Sequence, residues 1–140
     1  LAERDVAYDP KLVTHGNFTD EIGFRVARTA LEQRPRPTAF VAGSMMSALG
    51  VYRAARSMNL VVGRDISVIA HDDVFPYLTA ENMAPSLSTT RSSIRAAGTR
   101  IADLLLQMLG GRPATDIAEL WPVELILRES SRPVAKEASE

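Results

Sequence analysis

Three short segments hold the side chains best able to do chemistry: Gly16-Asn17-Phe18, Gly43-Ser44 and His71-Asp72-Asp73. A carboxylate accepts hydrogen bonds from a hydroxyl-bearing ligand, a serine hydroxyl gives or takes one, and an aromatic ring packs on an apolar face. A histidine beside two aspartates also invites a metal or acid–base reading. Neighbouring residues on a strand face opposite sides, however, so these three cannot converge on one ion without a sharp bend. The other histidine is His15, cysteine is absent and no His-Glu-x-x-His pattern occurs, so neither a metal site nor a cofactor is expected. Asp72 is left with two readings, an acceptor for ligand hydroxyls or an acid that caps a turn. Asp73, on the opposite face if the alternation continues, takes the turn role.

Catalytic patterns are missing. There is no phosphate-cradling glycine loop and no Gly-x-Ser-x-Gly nucleophile elbow. The two lysines, Lys11 and Lys136, are not placed to complete a phospho-acceptor site. An enzyme is therefore not expected.

Those segments must be held by an alternation of strands and helices. Leu12–His15 is a short apolar run with strand character, ending at Gly16-Asn17. Thr19 is an N-cap, and Asp20 and Glu21 stand where acids favour the helix dipole. Ile22, Val26, Ala27, Ala30 and Leu31 recur at helical spacing until Pro35 and Pro37. Thr38–Ala42 has the continuous apolar character of a strand buried on both faces. A second helix carries Met45, Leu49, Tyr52 and Ala55 in one stripe and ends near Asn59, a residue that tolerates the left-handed cap. Met46 and Met58 read as core.

After a turn at Gly63, Ile66–Ala70 is another buried strand that delivers His71-Asp72-Asp73. Residues 74–86 read as an irregular excursion, and Leu87–Thr90 is β-compatible. Ser92–Leu109 is the clearest helix, with Ile94, Ala97, Ile101, Leu104, Leu105 and Met108 on one face. Trp121–Leu127 is a last strand, and Arg128–Glu140 is a polar stretch without periodicity that reads as a disordered tail. This order predicts an α/β fold with a parallel sheet flanked by helices. In such sheets ligands lie beyond the C-terminal strand ends, where the three segments fall.

Composition narrows the partners. Among 140 residues, 16 basic side chains are balanced by 17 acidic ones, so no basic face exists to hold a nucleic-acid backbone. The absence of cysteine fits a cytoplasmic setting. No apolar run approaches the ~20 residues of a membrane span, and Leu1–Asp9 lacks the apolar centre of a signal peptide. Starting without an initiator Met, the sequence reads as a fragment of a longer protein.

Pro37–Gly50 (PTAFVAGSMMSALG), Asp65–Asp73 (DISVIAHDD), Pro85–Gly98 (PSLSTTRSSIRAAG) and Leu125–Ser131 (LILRESS) resemble, in order and spacing, the C-terminal half of regulators of the lactose-repressor (LacI/GalR) family. Gly16-Asn17-Phe18-Thr19 resembles that family's turn, and the likeness runs over roughly residues 5–131. The resemblance implies a periplasmic-binding-protein-like type I effector domain of two lobes with a ligand between them. Residues 1–86 would form most of the C-terminal lobe. Residues 87–111 would cross into the N-terminal lobe as a strand and helix, 112–131 would return, and 132–140 would be a disordered tail. It also implies a cytoplasmic homodimer that reaches operator DNA through an N-terminal domain outside this sequence, and a small effector, a carbohydrate. A secreted sugar-binding transport protein of the same fold is the alternative.

The resemblance places Asp72, Phe18, Ser44 and His71 at the effector. Ser44 and Met45 stand where Asn and Asp are usual, and His71 where an aromatic is common. Phe18 is equally readable as core, and Ser44 as a helix cap. Leu49, Tyr52 and Arg53 match positions that pair across the family's dimer. The apolar stripe on 92–109 points the same way. Without the rest of its lobe it must pack on a neighbouring chain or fold back onto its own sheet. A mobility-shift assay of this chain with its cognate operator at physiological salt should show no band; a sequence-specific shift would overturn the domain assignment.

Overall fold

In the computed structural model, residues 4–71 and 74–133 are described. Helix α1 (Asp20–Leu31) starts where the Thr19 hydroxyl accepts the Ile22 N–H at 3.2 Å. Helix α2 (Met45–Ser57) starts in the same way on Ser44, whose hydroxyl accepts the Ser47 N–H. Its end follows from Asn59, which takes φ of 57° and lets the Leu60 N–H reach back to the Ala55 carbonyl at 2.9 Å.

Strands β1 (Ala39–Ala42), β2 (Ser67–His71), β5 (Ser88–Arg91) and β6 (Glu124–Ile126) form one sheet in the order β1-β2-β5-β6. The first three run parallel and β6 returns antiparallel to β5. The α/β expectation holds. Val68 and Ala70 of β2 are buried with Ala48, Val51, Ala54 and Ala55 of α2, and Ala27 and Leu31 of α1 join them in the core.

Helices α1 and α2 cross with their backbones in contact. A Cβ on Gly50 would lie 2.2 Å from the Asp20 carbonyl oxygen and 2.4 Å from the Phe24 nitrogen, and one on Gly23 would lie 2.2 Å from the Ser47 carbonyl oxygen. Any other residue at either position would wedge the helices apart.

Several expectations change. Leu12–His15 is not a strand. Pro10–Leu12 forms a 3-10 turn capped by Asp9, and residues 13–18 run on without strand pairing. They make no ladder with the free edge of β1, from which a depression lined by Leu12, Thr14, Phe40 and Val41 separates them. β1 is an edge strand covered on one face among the described residues, and Val41 is 88% exposed, so it is not buried on both faces. Residues 74–86 are more ordered than expected. β3 (Val74–Phe75) and β4 (Leu78–Thr79) make a hairpin, and Ala80, Met83 and Leu87 behind it belong to the core.

The polar 128–131 stretch is not a tail. The Ser130 hydroxyl donates to the Val68 carbonyl at 2.6 Å and accepts the Ser88 N–H at 2.8 Å, which leaves it fully buried yet satisfied. Glu129 accepts the N–H and hydroxyl of Ser86, and those bonds hold its carboxyl below the usual carboxylate range. Gly63, at φ of 80°, packs so closely on this segment that a Cβ there would lie 2.1 Å from the Glu129 carbonyl oxygen. Residues 134–140 lie outside the described residues.

Helix α3 (Ile94–Leu109), capped by Ser93, stands away from the sheet with none of its residues buried. It does not fold back onto its own sheet, because β5 carries the chain away at Arg91 and β6 brings it back beside the same residue. Ile94, Ile101, Leu105, Leu106 and Leu109 are exposed.

Two glycine substitutions should separate packing from propensity. Alanine favours a helix by about 1 kcal/mol over glycine, whereas forcing a methyl into backbone contact costs about 1–3 kcal/mol. Gly50→Ala should therefore lower stability in urea unfolding. Gly98→Ala, with nothing within 4 Å of its Cβ, should leave stability unchanged or raise it.

Candidate functional site

Because β1 and β2 are parallel, their C-terminal ends bring Gly43-Ser44 and His71 to the same end of the sheet. The start of α1 brings Phe18 there too: the Phe18 ring lies against Gly43, whose added Cβ would be 2.5 Å from the ring Cε1. The ring is 66% exposed, so it is a surface as well as a packing element. Beside it opens a cleft of about 330 Å³ between the 14–18 segment, α1 and β1, lined by Asn17, Phe18, Ile22, Val41, Gly43 and Ser47.

Ser44 is nearly buried and spends its hydroxyl on the α2 cap, with the Ser47 hydroxyl a further 3.2 Å partner. His71 is exposed at the end of β2, with its Nδ1 3.0 Å from the Thr90 hydroxyl in the paired position on β5. Asp72 and Asp73 lie outside the described residues. Phe18, Ser44 and His71 thus share one end of the sheet. Thr90 was not singled out in the sequence, although the parallel register that places it beside His71 is a signal for it.

Leu49, Tyr52 and Arg53 lie elsewhere, along α2. With Leu78, Met83 and Pro85 they line a depression of about 460 Å³ between α2 and the 78–85 segment. Tyr52 donates its hydroxyl to the Pro85 carbonyl at 3.0 Å, and burial pushes its phenol up to about 12. Its hydroxyl is therefore neutral at physiological pH and already engaged. Arg53 pairs with Asp20 across the helix crossing and sits 5.0 Å above the Phe24 ring. Among the described residues, no cluster of three His, Cys, Asp or Glu side chains is arranged around an ion, and no helix is long and apolar enough to cross a membrane.

Comparison with known proteins places this geometry. The family described as periplasmic binding protein-like domain matches residues 2–131. The HTH-type transcriptional regulator AglR of Rhizobium meliloti is 45% identical over 133 residues, 95% of this chain and 37% of that protein. The lactose operon repressor of Rhizobium radiobacter is 35% identical over 112 residues, 80% of this chain and 96% of that sequence. A lac repressor dimer, solved bound to operator and the anti-inducer ONPF, superposes with a TM-score of 0.70 at 30% identity over 83% of this chain and 39% of that one. The chain thus spans a little over a third of the length of AglR. With its fold, its sheet-end cleft and these relatives in agreement, the chain belongs to the periplasmic-binding-protein-like domain family and is part of an effector-binding domain of the LacI type of transcription regulator.

Proposed function

We propose that this chain binds a carbohydrate effector and supplies dimer surface for a cytoplasmic, non-enzymatic regulator that holds operator DNA through residues outside this sequence. One observation carries the reading. The parallel strand ends put Ser44 and His71 at one end of the sheet, and the start of α1 puts Phe18 there too, where its ring lines an open cleft. A ring and several hydrogen-bonding groups together suit a ligand with apolar faces and many hydroxyls. Asp72, next in sequence to His71, supplies the carboxylate, while the Ser44 cap leaves that residue a weaker polar contact. Residues 1–86 make the C-terminal lobe in this reading, 87–111 the crossing strand and helix, and 112–131 the return. Ligand binding then acts on DNA by moving two lobes in a dimer. The transport alternative finds no support in the relatives, which are transcription regulators.

Calorimetry on the full-length regulator with a panel of common mono- and disaccharides tests the site. Asp72→Ala should weaken whichever sugar binds by about 10–150-fold, the worth of a lost charge-assisted hydrogen bond. Unchanged affinity would remove Asp72 from the site, and silence from every sugar would remove the carbohydrate.

The dimer reading rests on the exposed apolar face of α3 and on the depression that Leu49, Tyr52 and Arg53 line. Light scattering of this chain at micromolar concentration should report at least twice 15.3 kDa. A monodisperse monomer would sink it.

A further inference from the structure

Phe18 and Gly43 are joined by a contact that the position of neither residue in the chain explains. Phe18 ends the segment before α1, and Gly43 follows the last residue of β1. A Cβ placed on Gly43 would meet the ring at 2.5 Å from Cε1, 3.0 Å from Cζ and 3.4 Å from Cδ1. The ring edge therefore occupies the space a side chain at 43 would fill. The atoms met belong to the far end of a side chain that rotates about two bonds, so a methyl here need not break the fold. It would turn the ring. At Gly23 and Gly50 the opposing atoms are backbone, which cannot swing aside.

We propose that Gly43 is a positioning residue for Phe18: by having no side chain it lets the ring lie across the end of β1, and so fixes one wall of the cleft. This rests on the reading of that cleft as the effector site. A larger residue at 43 would rotate the ring into or away from the 330 Å³ cleft. Ligand selectivity would then respond to residue size at a position that need not touch the ligand. Gly43 acts through Phe18, so its effect must vanish when the ring is gone.

The test compares wild type, Gly43→Ala, Phe18→Leu and the double variant. In the 140-residue chain with ¹³C-labelled phenylalanine, the wild type should show nuclear Overhauser contacts between the Phe18 ring and the Gly43 α-protons. Gly43→Ala should lose the equivalent contacts and shift the Phe18 resonances while leaving the melting temperature within about 2 °C of wild type, a small change for a domain of this size. In the full-length regulator, calorimetry with the same sugar panel should show Gly43→Ala weakening the bound sugar at least about 5-fold when Phe18 is present and less than about 2-fold in the Phe18→Leu background, a coupling of the kind neighbouring residues show. Equal weakening in both backgrounds, or a ring that keeps its place in Gly43→Ala, would overturn the proposal. If no sugar binds the wild type, the carbohydrate reading falls by itself, and the ring contacts alone decide the role of Gly43.

Discussion

The close crossing of α1 on α2 is the constraint from which the rest of this structure follows. Two glycines, Gly23 and Gly50, let carbonyl and amide groups of one helix meet the backbone of the other without a Cβ between them. The helix interior loses about 1 kcal/mol at such a residue, and the close approach is what makes the loss tolerable. α2 lies on β1 and β2, so a tight crossing fixes α1 relative to the sheet even though α1 itself hardly touches it. Arg53 spans the same crossing, paired with Asp20 and stacked over Phe24. Because α1 is fixed at its first turn, the residue just before its cap is fixed as well, and that residue is Phe18. The geometry of the cleft is in this sense inherited from the helix crossing, whose Gly23 and Ser47 line it.

The second support is polar. Ser130, Ser88 and Arg128 are drawn into the sheet rather than excluded from it. The Arg128 guanidinium donates to the Leu87 carbonyl at 2.8 Å and the Thr89 hydroxyl at 3.0 Å. Burying the two serine hydroxyls unpaired would cost about 1–3 kcal/mol each, and the guanidinium more. Their hydrogen bonds to backbone carbonyls and hydroxyls remove that cost, so a sequence stretch with no apolar pattern is anchored to the sheet through the buried Ser130.

That is also why parts of the chain were illegible beforehand. Thr19 and Ser44 as caps, Asn59 as a left-handed stop and the helix after Ser93 could be read because each depends on residues within one or two turns. Leu12–His15 and Val41 could not, because strand pairing and burial depend on what lies alongside, which sequence does not display. The 74–79 hairpin escaped notice since two-residue strands leave no periodicity. At the site, the strand-end placement of Ser44 and His71 was visible from the alternation of elements, whereas Phe18 reaches that end from the start of α1 and not from a strand over 12–15. The contact of Phe18 with Gly43 was not visible, since the two residues are 25 positions apart and meet only once α1 and β1 are packed in the fold.

The chain leaves the sheet after Arg91 and re-enters at Glu124, and these two residues face each other across β5 and β6, their side chains 3.3 Å apart. Everything from 92 to 123, α3 included, is therefore an excursion whose two ends meet at one rung of a ladder. Topologically it is an insertion. The loop-closure entropy of those residues is met once, at that rung, and grows only slowly with their number. A rotation of the excursion about this doubled stem would strain two short strands and leave the helix crossing undisturbed. The part of the molecule that reaches outward and the part that forms the cleft floor are thus mechanically separable while remaining covalently joined twice.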